Sequence, residues 1–413
     1  MTTQVRIVLL RRVLALFALI LMGVTWPLWS DPASSISPRI PWFGFLRSMP
    51  SWLDSTALGI TVVGLVSCVV APSGTRWTRI SLAVLLVGLF PLLGYDQHRL
   101  QPWMWELLLF AILFLIAPGQ SGWRWWRWVV ISIYLHSGLS KLDASFVESH
   151  GQLILEGMLQ PLSIDVRFWP ERTREAIAWT FPIGEIVLCV FLAMRRTQRW
   201  GLWMSVVMHV ALIWTLGVGL RHESGVVIWN VQFIVQNFIL FGGRSSATVA
   251  ETDATPIPES AFIRIAAAAF GLFAVLFPLT ENIGICDHWP AWAVYSSRPG
   301  QVDVLIPEEA LQRLPAESKE YVGPPAPLET DRPLRLDAWS FETRSCPLYP
   351  QNRYRLAVGR ALLGNAAEDA VFIVTSTPTR WGDRPDPQRL ENAEVETFLK
   401  RYWMNTLPVQ TEE

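Results

Sequence analysis

The feature that most constrains this chain is a succession of long apolar runs through its first 280 residues, separated by short loops, every second one of which carries arginine. A helix crossing a bilayer needs about 17 to 25 mostly apolar residues, since its backbone polar groups find partners only within the segment. Such runs lie near 10–29, 56–72, 79–95, 103–118, 127–145, 175–194, 200–219, 225–242 and 262–280, so about nine transmembrane helices are expected, the second and fourth of them short. Composition agrees. The chain is 51% hydrophobic and only 17% charged, below the roughly 25% charge of a soluble domain. Many of its 22 tryptophans flank the apolar runs, where indole favours the headgroup layer. A net charge of −1 leaves no basic footprint for nucleic acid.

Arginine placement sets an expected orientation, because basic residues stay on the cytoplasmic side. Arg6, Arg11 and Arg12 lie at the start; Arg76 and Arg79, then Arg124 and Arg127, then Arg195, Arg196 and Arg199, then Arg244 fall in alternate connections. This places the N-terminus in the cytoplasm and exports the C-terminal tail, as in a bacterial inner-membrane protein. The basic N-terminal stretch lacks a small-x-small cleavage site and reads as a retained first helix.

The expected fold is therefore an all-α multi-pass membrane helical bundle, residues 1–280 with a core at 127–242, followed by a small α+β or mainly β soluble domain over 287–413. Residues 245–259 read as a cytoplasmic linker between the eighth and ninth spans. In the tail, 302–306 and 370–374 read as strands and 390–403 as a helix. The long connections 30–55 and 146–174 call for structure or function of their own. Cys68 and Cys189 fall in apolar runs as packing residues; Cys286 and Cys346 fall in the tail, where export would permit one disulfide. No metal-spaced His/Cys cluster, P-loop, HExxH or GxSxG is present.

Ionisable groups at membrane depth are costly, and each is by default a site hypothesis. Tyr134, Gly138 and Lys141 share a face at the exit of the fifth span, with Gly138 admitting a close neighbour. Lys141 reads either as a base or as a snorkelling lysine paired with Asp143. Glu185 follows Pro182 midway along the sixth span, and His209 lies at comparable depth in the seventh; a Glu185–His209 pair would relay a proton or simply tie two helices. Asn230 and Asn237 share a face of the eighth span, with Gln232 and Gln236 beside them, as ligand contacts or as interhelical glue. Asp96 to Arg99, with Asp143, Arg221, His222 and Glu223, would form an outward polar mouth or a solvated surface.

The segment from Tyr134 to Phe146, YLHSGLSKLDASF, resembles the catalytic-lysine segment of the HTTM (horizontally transferred transmembrane) family and of vitamin K-dependent γ-glutamyl carboxylase. Lys141 falls on the family's lysine and Gly138 on its glycine, while Phe146 stands where the family has tryptophan. SGLSKL followed by Pro182-x-x-Glu185 is also similar to the smaller DoxX and MauE membrane families. The first resemblance implies an outward cavity holding a quinone-like lipophilic ligand, with Lys141, His209 and Glu185 as catalytic residues and Tyr134, Gly138, Asn230 and Asn237 as ligand contacts. Peptide carboxylation is not implied, because Leu100-Gln101-Pro102-Trp103 replaces the carboxylase's Asn-Asn-His run. The second resemblance implies a non-enzymatic membrane factor for assembly or maturation of an exported protein partner.

Overall fold

A computed structural model describes residues 2–34, 36–220, 224–243, 259–376 and 386–410. Its helices are α1 (Thr3–Val24), α2 (Trp26–Ser30), α3 (Ser51–Val70), α4 (Thr75–Gly94), α5 (Pro102–Ile116), α6 (Gln120–Ser140), α7 (Ala144–Glu148), α8 (His150–Leu159), α9 (Glu171–Ala193), α10 (Gln198–Ile213), α11 (Ser224–Phe241), α12 (Ala261–Leu276), α13 (Leu336–Arg344), α14 (Asn352–Leu363) and α15 (Asn392–Leu399). Among the described residues seven are long and apolar enough to cross a membrane: α1, α3, α4, α9, α10 with the π-helical turn that extends it, α11, and α12 with the 3-10 turn after it. The chain is thus a multi-pass membrane protein of mostly helical structure. Nine spans were expected. The two apolar runs outside the seven are α5, which has only 15 residues, and α6, whose 21 residues include Arg124 and Arg127. The expected linker at 245–259 lies outside the described residues but for its last position, as do Arg221, His222 and Glu223.

The chain divides into two compact units. The first comprises 1–21, 60–87 and 102–296. Here the first helix starts earlier than its apolar run, so Arg11 lies within α1 and is buried. Its guanidinium donates to the carbonyl of Ala71 at 2.7 Å and to the Thr78 hydroxyl at 3.1 Å, satisfying a carbonyl that the end of α3 leaves open. The connection 146–174 folds into α7 and α8. Asp143 caps α7 by accepting from the Phe146 amide at 2.6 Å, and the ion partner that Lys141 takes is Glu185. Helix α8 packs on α9 and on the π-helical turn Trp214–Gly219. The fit requires glycine: a Cβ on Gly219 would lie 1.8 Å from the carbonyl oxygen of Gly157.

The second unit comprises 22–59, 88–101 and 297–413. Its sheet is antiparallel with order β2-β1-β3-β4, from β1 (Gln301–Ile306), β2 (Arg332–Pro333), β3 (Val371–Thr375) and β4 (Gln388–Leu390). Val302, Val304 and Ile306 alternate inward on β1, and α14 packs against that strand. The expected strands and tail helix are present as β1, β3 and α15, making this region α+β. Trp339, Tyr349, Tyr354 and Phe372 form its solvent-free centre. Elsewhere in the unit, Asp54 at the start of α3 takes both Arg39 and Arg99 as ion partners, and Arg99 also donates to the carbonyls of Leu28 and Trp29. None of the four cysteines is in a disulfide, so the bridge that export would permit between Cys286 and Cys346 is not formed.

Candidate functional site

Lys141 caps the C-terminus of α6, where a cation complements the helix dipole. Its Nζ donates to the Ser137 hydroxyl at 2.6 Å, to the Ser137 carbonyl at 3.2 Å, and to both Glu185 carboxylate oxygens at 3.1 and 3.2 Å. The three N–H groups of an ammonium are thereby matched to three acceptor groups. Gly138 makes the pairing reachable. A Cβ there would meet Ile186 at 2.9 Å, the Pro182 carbonyl at 3.0 Å and Glu185 at 3.2 Å, so only glycine lets α9 come this close to α6. The small residue and the Pro182-x-x-Glu185 segment are two sides of one helix contact.

A second polar set ties α6, α10 and α11. The Asn230 amide donates to the Val226 carbonyl at 2.9 Å, which leaves its Oδ1 to accept from His209 Nδ1 at 2.8 Å. With its proton on Nδ1, His209 presents a lone pair at Nε2, and Tyr134 donates to it at 2.8 Å. The Tyr134 oxygen in turn accepts from Asn237 Nδ2 at 2.6 Å. Hydrogen-bond directions along this chain are fixed throughout, and Phe233 stacks on the imidazole with centroids 4.9 Å apart.

Both sets reach one cavity of about 540 Å³ inside the first unit. Its polar lining includes Tyr134, Lys141, Glu185, His209 and Asn230, and its apolar walls include Phe181, Trp203, Met204, Met208 and Phe233. Of the expected site residues, Gly138 and Asn237 are not among the lining positions: Gly138 is filled by α9, and Asn237 lies behind Tyr134. Glu185 and His209 share the cavity but do not pair, because Lys141 and Asn230 offer each a nearer partner. Asp96, His98 and Arg99 belong to the second unit, where they are fully buried. Among the described residues no three His, Cys, Asp or Glu side chains gather as metal ligands.

Glu106 was not anticipated. It lies fully buried in α5 and accepts from Trp229 Nε1 at 3.0 Å, Gln232 Nε2 at 3.0 Å and Gln236 Nε2 at 2.7 Å. The glutamines expected as glue thus hold a carboxyl group. A signal for it existed, since Glu106 is the one charged residue of an otherwise apolar run at 103–118. Trp292 and Tyr295, which also line the cavity, carry no motif that would mark them.

Residues 119–227 match the family model of methylamine utilisation protein MauE. The matched stretch spans α6 through α10, the helices that supply Lys141, Glu185 and His209. No curated protein and no solved structure matches the chain.

Proposed function

We propose that the chain is a membrane factor of MauE/DoxX type that acts in the assembly or maturation of exported proteins, with the bundle cavity holding a lipophilic ligand. The observation that carries this reading is the coincidence of the MauE-like stretch with the helices that wall the cavity. In this reading the N-terminus is cytoplasmic and residues 287–413 form an exported domain, as the alternation of arginine-bearing connections supports. A strain lacking the chain then accumulates at least one exported protein in immature form, and the wild-type chain restores it. Unchanged maturation across the exported proteins sinks the reading.

A second reading, a quinol-linked enzyme with Lys141 as base, is favoured by the place of Lys141 in the cavity wall and by the HTTM-like segment around it. It requires Lys141 to give up a proton and Glu185 to move, since all three ammonium donors are engaged. Lys141→Ala should then abolish quinol turnover in a folded protein; turnover that persists removes this reading.

A further inference from the structure

A groove of about 380 Å³ is walled by α1 and α11 in the first unit, apart from the cavity that Lys141 lines. One wall carries Arg6, Leu9 and Val13, spaced i, i+3 and i+7 on α1. The other carries Val235, Phe238 and Gly242, with the same spacing along α11 and its exit. That spacing puts each set on one helix face. Leu9 and Phe238 are 39% and 42% exposed. Both helices are long and apolar enough to cross a membrane, where such side chains meet lipid tails as apolar as themselves. Both walls lie outside the MauE-like stretch, so the groove is a feature of this chain rather than of the matched core.

Arg6 makes one end of this groove polar. Glycine allows its position, since a Cβ on Gly243, which also lines the groove, would overlap Arg6 Nη2. The next arginines of α1 have internal partners: Arg11 donates to the Ala71 carbonyl and the Thr78 hydroxyl, and Arg12 to the same carbonyl. Among the described residues the Arg6 side chain has neither an acceptor nor an ion partner, and its nitrogens are not enclosed as Arg127 Nε is. Two more cations are close. Arg127, with its guanidinium over the Phe241 ring at 5.1 Å, lies within electrostatic reach of both Arg6 and Arg195. No carboxylate among the described residues pairs with any of the three. Like charges held together without a counter-charge leave a positive potential that an anion relieves.

We infer that the groove between α1 and α11 binds one anionic phospholipid, with an acyl chain along Leu9, Val13, Val235 and Phe238 and the phosphate at Arg6. A guanidinium fork matches phosphate oxygens, and basic pockets between membrane helices suit acidic headgroups. A zwitterionic lipid fits the apolar walls equally well but brings a cation of its own, which the three arginines repel. Arg127 and Arg195 act at a distance, by raising the local positive potential. The inference needs only that the chain lies in a membrane, and it is independent of what the cavity at Lys141 holds.

Two lipids with the same acyl chains test this. The full chain in detergent is mixed with equimolar dioleoyl-phosphatidylglycerol and dioleoyl-phosphatidylcholine, and the lipid it retains is measured by native mass spectrometry. The wild-type chain is expected to retain phosphatidylglycerol roughly fivefold over phosphatidylcholine, the worth of one basic side chain at an anionic surface, and Arg6→Gln to bring the ratio close to one. Arg199→Gln removes an exposed arginine that does not line the groove and should leave the wild-type ratio. Equal retention of the two lipids by wild type overturns the inference, and this comparison needs no variant to fold. A preference that survives Arg6→Gln, or that falls as far in Arg199→Gln, shows attraction by the whole basic surface and removes the site. Inorganic phosphate at the same concentration should not compete, because it gains nothing from the apolar walls; displacement by it would overturn the assignment to a lipid.

Discussion

Glu185 reaches across from α9 to meet the Lys141 ammonium at 3.1 Å, beside Gly138, where the two helices approach closely. Both side chains are largely shielded, at 6% and 13% exposure. Removing one partner of such a pair strands the other charge, at a cost of about 3–5 kcal/mol, whereas removing both is close to neutral. Lys141→Met and Glu185→Gln are therefore each expected to lower the thermal midpoint of the purified protein strongly, with the double variant recovering most of the loss. Additive losses would show that the two residues do not act as a pair.

The same contact predicts the effect of Gly138→Ala. The new methyl would press on the Pro182 carbonyl at 3.0 Å and on Ile186 at 2.9 Å. Backbone cannot rotate away as a flexible side chain could, so overpacking of about 1–3 kcal/mol is expected. Denaturation in detergent should show that loss, and a cysteine crosslink between α6 and α9 should form more slowly in the variant. Wild-type stability would mean that the helices have room to separate.

The Lys141 segment was legible in the sequence because a charge at the end of an apolar helix is expensive and SGLSKL is a compact motif. Its partner was not, because Asp143, Glu185 and other polar groups near the cavity compete, and sequence spacing cannot say which helix comes closest. Glu106 was detectable as a lone carboxyl, yet its three donors follow 123, 126 and 130 residues later. The strands of the tail were readable from their short runs of β-branched and aromatic residues between Pro-rich turns, as Val302 to Ile306 and Val371 to Val374 show. The second unit as a whole was not, because it joins three separate stretches of chain through pairs such as Asp54 with Arg99, and no local pattern marks them.

Glu106 presents both carboxylate oxygens to three neutral donors. In Glu106→Gln one of those oxygens becomes an amide nitrogen that faces a donor, and in Glu106→Leu all three donors lose their acceptor. Each buried donor left unmade costs about 1–3 kcal/mol, so the order of stability should be wild type, then Gln, then Leu. Trp229 lines the cavity as well, so its indole N–H stretch should shift in the Leu variant. Equal stability of the two variants would mean that the donors find other partners.

His98 gives the second unit an acid sensitivity. Burial is the main reason that its pKa falls from 6.5 to about 4; Asp96 and the Pro347 carbonyl oppose the shift, and Arg344 and Arg99 add to it. Nε2 donates to the Pro347 carbonyl at 2.8 Å, so an added proton must go to Nδ1, which is buried without a partner. The unfolded chain binds that proton more readily than the folded one. The contribution of His98 is thus fully present above about pH 6.5 and is lost as pH falls toward 4, by roughly 3 kcal/mol in all. His98→Gln should flatten the pH dependence of the thermal midpoint across that window, and an unchanged slope would place the acid sensitivity elsewhere.

Tyr134 is the hinge of the ordered hydrogen-bonded chain, because its hydroxyl donates to His209 Nε2 and accepts from Asn237 Nδ2. Tyr134→Phe keeps the ring and its contact with Phe233 but orphans one acceptor and one donor together. Two unmade buried groups put the loss at about 2–6 kcal/mol, twice that of a single one. The two residues left behind differ in what they can recover. Asn237 can turn its amide toward the backbone of its own helix, whereas His209 is held by Asn230 at Nδ1 and by the stacked Phe233, so its Nε2 lone pair is left facing the space the hydroxyl vacated. The Nε2 resonance of His209 should therefore move from its wild-type position in Tyr134→Phe, as followed by NMR of nitrogen-labelled histidine, because its lone pair no longer accepts from a hydroxyl. A histidine signal that does not move would show that Tyr134 does not donate to it.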